Sequence, residues 1–334
     1  MSNIKTAMRH EALETSARIA EQLATNKPKI IDITEKIRQF DPKFVVLVGR
    51  GTSDHAALFA KYLFEVETGL AVASAAPSVA TTFGKCLKLE QALVIVISQS
   101  GQSPDLIEYM QMANKSGAFT VAIANDTSSP LAKSCHHVIP ILVGPETAVA
   151  ATKSYLGSLS AILQLVSHLA ESADLMKAVT EIPNALEQAI TSSEILKHSD
   201  IANIDHCVVI GRGFGFAIGM EIALKLKEIC AIQAECFSSA EFLHGPVRII
   251  SDNFHVLDIL VNDETIEMHR PQSSQLQRRG AIVTHLSCEA EWIHPRIEPL
   301  AIMQRFYLDL EQIGREMGLN PDKPEGLSKV TQTR

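Results

Sequence analysis

Apolar residues return at helical spacing through the first forty positions, at Met8, Ala12, Ala17, Ile19 and Leu23 and again at Ile30, Ile33 and Ile37. This spacing predicts an N-terminal helical segment over 1–40. The pattern then changes. Phe44-Val45-Val46-Leu47-Val48 is an unbroken apolar run of strand length, closed by Gly49-Arg50-Gly51, and helical spacing resumes from about Asp54 to Glu67. Ala92–Ile97, Phe119–Ala124 and His137–Leu142 are further apolar runs, with helical patterns between the first of them. Short apolar runs that alternate with helices describe βαβ units and a parallel sheet. Tyr155–Ala170 is long and apolar, but Ser158, Ser160, Gln164, Ser167 and His168 interrupt it. It reads as a buried helix, not a membrane span.

The second half follows the same pattern. Cys207-Val208-Val209-Ile210 ends in Gly211-Arg212-Gly213, a helical run reaches about Ile232, and strand-like runs follow at Phe254–Val261 and Ala281–Leu286. At a fixed offset of 162 residues the two Gly-Arg-Gly turns coincide, and so do two of the strands in each half. An internal duplication is therefore expected. The expected organisation is a helical segment over 1–40, a first α/β domain over 41–171 and a helical linker over 172–199. A second α/β domain over 200–317 and a polar tail over 318–334 complete it. The fold class is α/β, with two tandem doubly wound parallel-sheet domains.

The 334 residues include 30 Lys and Arg against 38 Asp and Glu, a net charge of −8, and 46% are hydrophobic. That is a globular composition, and its acidic balance argues against nucleic acid or an anionic membrane surface as partner. No apolar stretch of signal-peptide type follows Met1. The six cysteines, Cys86, Cys135, Cys207, Cys230, Cys236 and Cys288, are scattered without a C-x-x-C pair, so a reducing cytoplasm is expected.

In open parallel sheets ligands gather beyond the carboxyl ends of the strands. Gly49-Arg50-Gly51-Thr52-Ser53 has two glycines of a dinucleotide fingerprint but Asp54 where the third would stand. It serves equally well as a tight turn with Ser53 near the helix start. After Ala92–Ile97 comes Ser98-Gln99-Ser100-Gly101-Gln102-Ser103-Pro104-Asp105. Three hydroxyls and a helix start favour an anion, and without a Gly-Lys-Ser/Thr motif the natural guest is a phosphomonoester. The matching place in the second half, Leu260-Val261-Asn262-Asp263, has no serine cluster.

The second half offers proton-transfer groups instead. Lys225 and Glu228 share a helix face, which on spacing alone suggests a surface ion pair. His244 stands before a Gly-Pro break, three residues after Glu241. That pair lacks third and fourth ligands at sensible spacing, so no metal site is expected. Cys135-His136-His137 opens a strand and reads as structural.

These motifs resemble the sugar isomerase (SIS) family, in particular the isomerase half of glucosamine-6-phosphate synthase. The matching pieces are Gly51-Thr52-Ser53, Ser98-Gln99-Ser100-Gly101, Glu146-Thr147-Ala148-Val149-Ala150-Ala151-Thr152-Lys153, Ala223-Leu224-Lys225-Leu226-Lys227-Glu228, His244-Gly245-Pro246 and Leu327-Ser328-Lys329. They span nearly the whole chain in the family's order. The synthase also carries an N-terminal glutaminase domain with a nucleophilic N-terminal cysteine, whereas here residue 2 is Ser2 and the first cysteine is Cys86. The resemblance therefore leans toward stand-alone SIS-type glucosamine-6-phosphate deaminases.

The resemblance implies flavodoxin-like SIS domains and a small amino sugar phosphate as substrate. It places the phosphate on Ser98, Gln99, Ser100 and Ser103, with Thr52 and Ser53 nearby, and adds Val149 and Ala151 to the substrate-binding set. It makes Glu228 the base for 1,2-proton transfer and His244 the ring-opening group. It also gives Lys225 and Lys329 catalytic roles, Lys329 as the Schiff-base or ring-opening lysine. No cofactor or metal is required. A homodimer with His244 acting in trans is implied. Ala151 stands where the synthase has a serine, which puts the exact sugar in question. Ammonia-dependent synthesis, or a deglycase, deaminase or isomerase acting on galactosamine 6-phosphate or fructosamine 6-phosphate, are the alternatives. A non-catalytic sugar-phosphate sensor would lack the acid–base residues present here.

Overall fold

The computed structural model describes residues 6–288, 290 and 292–329. The first five residues of the expected N-terminal segment and the last five of the expected tail lie outside them. The chain divides into two compact units. One comprises residues 15–146 and 153–183; the other comprises 6–14, 147–152 and 184–329.

The first unit holds five strands: β1 (Phe44–Val48), β2 (Ala71–Ser74), β3 (Ala92–Ser98), β4 (Phe119–Ala124) and β5 (His137–Pro140). All are parallel, in the order β2-β1-β3-β4-β5. The central strand β3 is buried at every position, as its apolar run requires. Val46, Val48, Val94 and Val96 pack with Leu106, Tyr109 and Met110. The helix Lys153–Leu169 is buried from Lys153 to Ser167 and packs against the helices Thr15–Phe40 and Thr52–Thr68. At Gly157 a Cβ would come within 2.6 Å of Val143, so glycine permits that approach. Gln22 donates to the carbonyls of Ile141 (2.6 Å) and Gly157 (2.9 Å), which supplies buried backbone with partners.

The second unit holds β6 (His206–Gly211), β7 (Gln233–Ser238), β8 (His255–Leu260) and β9 (Ile282–Ser287). They are parallel, in the order β7-β6-β8-β9. The two sheets thus share a winding order. In both, the Gly-Arg-Gly turn does the same work. A Cβ at Gly49 would lie 2.7 Å from the backbone of Ser53, and one at Gly211 would lie 2.4 Å from the backbone of Gly215. The first glycine lets the helix start press against the strand end. The third, Gly51 (φ 52°) or Gly213 (φ 54°), takes the left-handed turn into the helix.

Strands β2 and β7 are absent from the sequence-based reading. Each lies at a sheet edge, and β2 buries only Val72 while β7 buries only Ala234. Alanines make up much of the short run at β2 and polar residues interrupt β7, so pairing with β1 or β6 decides them. Among the described residues no helix is long and apolar enough to cross a membrane.

One buried charge anchors the second sheet. The carboxylate of Asp258, in β8, accepts from His269 (2.7 Å), Ser273 (2.6 Å) and His285 (2.9 Å). Burial alone would raise this carboxyl, but bonds from His269, His285 and Ser273 hold it below its ordinary value. The bond it donates to Asp258 raises His285. The stability due to His285 is therefore complete below its unfolded value near 6.5 and is lost as pH rises through the folded value. The stability due to Asp258 is present above its unfolded value near 3.8 and is lost as pH falls through the folded one. The stability gap between the wild type and His285→Asn is expected to be widest between pH 5 and about 6, and to narrow by pH 9. Urea unfolding midpoints across that range check this, and a gap independent of pH would refute the assignment.

Candidate functional site

In the first unit, β1 and β3 are neighbours while β2 flanks β1, so the winding direction reverses between β1 and β3. Loops beyond the strand ends diverge at such a switch point and leave a crevice. Thr52, Ser53 and the segment 98–103 all lie there. Ser98 Oγ is buried and accepts from the Gly101 N–H (3.0 Å), which curls the loop, and Ser100 Oγ accepts from the Gln102 N–H (3.4 Å). Gly101 has φ 62°, and a Cβ there would lie 2.1 Å from Ser129 Oγ. Ser103 is the N-cap residue of the helix Pro104–Lys115, yet its hydroxyl makes no capping bond. The hydroxyls and the positive helix end provide donors for an anion.

Sequence reasoning passed over one residue pair here. Arg50, in the Gly-Arg-Gly turn after β1, donates through Nε (3.0 Å) and Nη2 (2.8 Å) to Asp105, in the first turn after the serine loop. The pair ties the two loops together and offsets an acid that would otherwise repel an anion. The arginine between two glycines was the available signal.

The corresponding crevice of the second sheet is built differently. Glu298 accepts from Asn262 N–H and Nδ2, both at 2.7 Å, and Asp263 accepts from Thr265 N–H (2.8 Å) and Oγ1 (2.5 Å). Burial pushes the Glu298 carboxyl up to about 7. These acceptors hold their own loop, and no hydroxyl cluster stands there.

The second unit contains the proton-transfer candidates. On the helix Phe214–Cys230, Lys225 Nζ lies 2.6 Å from Glu228 Oε2 and 3.2 Å from Glu221 Oε1. This corrects the expected surface pair: the Lys225 side chain is 1% exposed and that of Glu221 0%. Burial alone would lower the Lys225 ammonium, but Glu221 and Glu228 outweigh it and hold it above its ordinary value. Lys225 is thus a fixed cation that orients Glu228. Glu228 keeps 22% exposure and lines a cleft of about 580 Å³. Leu224 and Lys227 share its wall, with Leu319, Asn320, Lys323 and Leu327 of the tail opposite. Glu221, four residues before Lys225, carries its signal in the sequence as i, i+4 spacing.

Lys329, at the end of the described tail, donates to the Ala148 carbonyl at 2.7 Å. Val149 donates to the Asp322 carbonyl at 3.0 Å, and Ala151 follows half-buried. The tail and the segment 147–152 therefore meet in one unit, with Lys329 on the Ala148 carbonyl and Val149 on the tail backbone. His244 stands just after the short helix Ser239–Phe242, exposed, with its N–H on the Glu241 carbonyl (2.9 Å). Among the described residues its imidazole makes no hydrogen bond, and no three His, Cys, Asp or Glu side chains are grouped to hold a metal ion.

A family model described as the SIS domain matches residues 40–168 and 200–291. The glutamine–fructose-6-phosphate aminotransferase (isomerizing) of Methanothermobacter thermautotrophicus is 31% identical over 322 residues, 91% of this chain and 54% of the relative. The protein of the same name from Sulfurisphaera tokodaii is 28% identical over 332 residues, 95% of this chain and 55% of the relative. The chain spans about half the length of these curated relatives. A Silicibacter pomeroyi DSS-3 structure, provisionally described as a phosphosugar isomerase, superposes with a TM-score of 0.90 at 35% identity, covering 95% of this chain and 100% of that one. The C-terminal domain of glucosamine-fructose-6-phosphate aminotransferase from Francisella tularensis shares the fold, with a TM-score of 0.86 at 22% identity, covering 96% of this chain and 99% of that one.

Two expectations follow from the geometry. Lys225→Met leaves Glu221 and Glu228 without their shared cation, and a loss of about 3–5 kcal/mol is expected in urea unfolding; an unchanged midpoint would contradict the pairing. Gly101→Ala forces the serine loop off Ser129, and calorimetric titration with inorganic phosphate is expected to show roughly tenfold weaker binding, about 1.4 kcal/mol. Equal affinity would place the anion elsewhere.

Proposed function

As this chain belongs to the SIS domain family, we propose that it is a sugar phosphate isomerase whose reaction is the isomerising deamination of glucosamine 6-phosphate. The products are fructose 6-phosphate and ammonia. The observation that carries this reading is the Glu228 carboxylate, held at 2.6 Å by a buried lysine and open to a cleft.

In this reading Ser98, Gln99, Ser100 and Ser103 take the phosphate, with Thr52 and Ser53 beside them. His244 moves the proton that opens the pyranose, and Lys329 assists at the ring oxygen or carbonyl. Glu228 removes the proton from C2 of the open amino aldose and delivers it to C1. One carboxylate suffices, because both carbons of a cis-enolamine present the same face. C2 is left as an imine, and water adds to it and expels ammonia. Lys225 stays charged throughout and keeps the Glu228 carboxylate aimed. It contributes electrostatic orientation rather than proton transfer.

None of these steps involves a metal or a redox cofactor. The residues named here supply no glutamine-hydrolysing nucleophile, so by themselves they exchange the C2 nitrogen with water or free ammonia. The names of the aminotransferase relatives support isomerisation of a hexose phosphate carrying nitrogen at C2. Ala151 favours a second reading of the sugar. Without a hydroxyl at that position, one hydrogen bond worth about 1 kcal/mol is missing, and galactosamine 6-phosphate or fructosamine 6-phosphates come within reach. We further infer that the two α/β halves arose by duplication and that the chain works as a homodimer, with His244 offered to the neighbouring subunit.

Incubation with glucosamine 6-phosphate is expected to release ammonia and fructose 6-phosphate in equal amounts. Glu228→Gln is expected to lower the rate by about 10²–10⁴-fold while the fold is kept. Absence of ammonia from the folded wild type would overturn the deaminase reading. Turnover of another amino sugar phosphate in its place would reassign the sugar and retain the base.

A further inference from the structure

We propose that Glu11 is a positioning residue for Lys329, acting through the backbone of the 147–149 segment; the inference rests on the reading of Lys329 as a group that meets the substrate. Glu11 lies in the helix Ala7–Leu13, far from Lys329 in sequence, and is 4% exposed. Its carboxylate accepts from the Thr147 N–H, from Thr147 Oγ1 (2.9 Å) and from the Ala148 N–H (3.3 and 3.4 Å). Successive backbone N–H groups converging on one buried carboxylate fix the local backbone.

The next peptide unit, Ala148–Val149, is held from both sides by the tail. Its carbonyl accepts from Lys329 Nζ (2.7 Å), and its N–H donates to the Asp322 carbonyl (3.0 Å). A peptide whose N–H is already donating presents a more polarised carbonyl, which strengthens its hold on the ammonium. The Asp322 carboxylate closes the circuit by accepting from the Ala7 (2.9 Å) and Met8 (2.8 Å) N–H groups at the start of the helix that carries Glu11. Helix, loop and tail, remote in sequence, fix one another, and Lys329 is held where the three meet. Replacing Glu11 frees the segment whose carbonyl restrains Lys329, and the ammonium moves with it.

The test uses the full chain with Glu11→Ala and the near-isosteric Glu11→Gln. Partial labelling with acetic anhydride, read lysine by lysine by mass spectrometry, is expected to show Lys329 modified several-fold faster in Glu11→Ala, with Lys36 and Lys61 unchanged. Glu11→Gln, which keeps one acceptor oxygen but loses the charge, is expected to fall between. On glucosamine 6-phosphate, Glu11→Ala is expected to lower kcat by about 10- to 100-fold with KM changed by less than about threefold. If Glu11→Ala does not fold, the Glu11→Gln labelling pattern decides. Unchanged Lys329 labelling in a folded variant, or a rise shared by all lysines, overturns the proposal. If the wild type turns over no amino sugar phosphate, the functional reading fails while the labelling still tests the positioning.

Discussion

The ammonium of Lys225 sets the terms for the second unit. A lysine 1% exposed is tolerable only beside opposite charge, and Glu221 and Glu228 supply it from the same helix face. That requirement does more than balance charge. It fixes the rotamer of Glu228, which would otherwise wander as a partly exposed side chain, and leaves its carboxylate at the edge of a cleft. Tyr307, on the helix Glu298–Glu316, reaches Glu221 at 3.5 Å and ties this charged helix to its neighbour. Desolvation, often an obstacle to ion pairs, here comes with a geometry that holds the carboxylate in place.

A second constraint comes from chain topology. Parallel sheets wound in the order 2-1-3-4 leave one crevice each, and the two crevices of this chain have been filled differently. The first carries serines whose hydroxyls curl the loop, with Arg50 offsetting Asp105. The second is closed by two separate pairings, Asn262 donating to Glu298 and Thr265 donating to Asp263. The same backbone arrangement thus carries a serine-rich loop in one half and an acidic, self-bonded loop in the other. The difference lies in which polar groups are left with donors to offer.

The terminal segments have a similar economy. The helix Ala7–Leu13, the segment 147–149 and the tail around Asp322 and Lys329 meet at a junction beside the buried Met8, Ala12 and Ala148. Charged and backbone hydrogen bonds hold them together. Such bonds are directional, so they fix position more tightly than apolar packing of equal strength.

Local pattern was enough to determine the α/β class, seven of the nine strands among the described residues, the buried helix after residue 150 and the loop rich in serine. Each of these rests on spacing within a dozen residues, where burial of an apolar face or capping of a helix start leaves its mark on consecutive positions. The family motifs made Glu228, His244 and Lys329 candidates but said nothing of what surrounds them. The edge strands β2 and β7 bury one residue apiece, so pairing decided them, not pattern. Whether Lys225 and Glu228 form a surface pair or a buried one depends on what packs over the helix, and i, i+3 spacing is identical in the two cases. Arg50 with Asp105 and Glu11 with the segment leading to Lys329 join residues far apart in sequence. Hydrogen bonds between remote positions leave no periodicity, so only the tertiary structure could decide them.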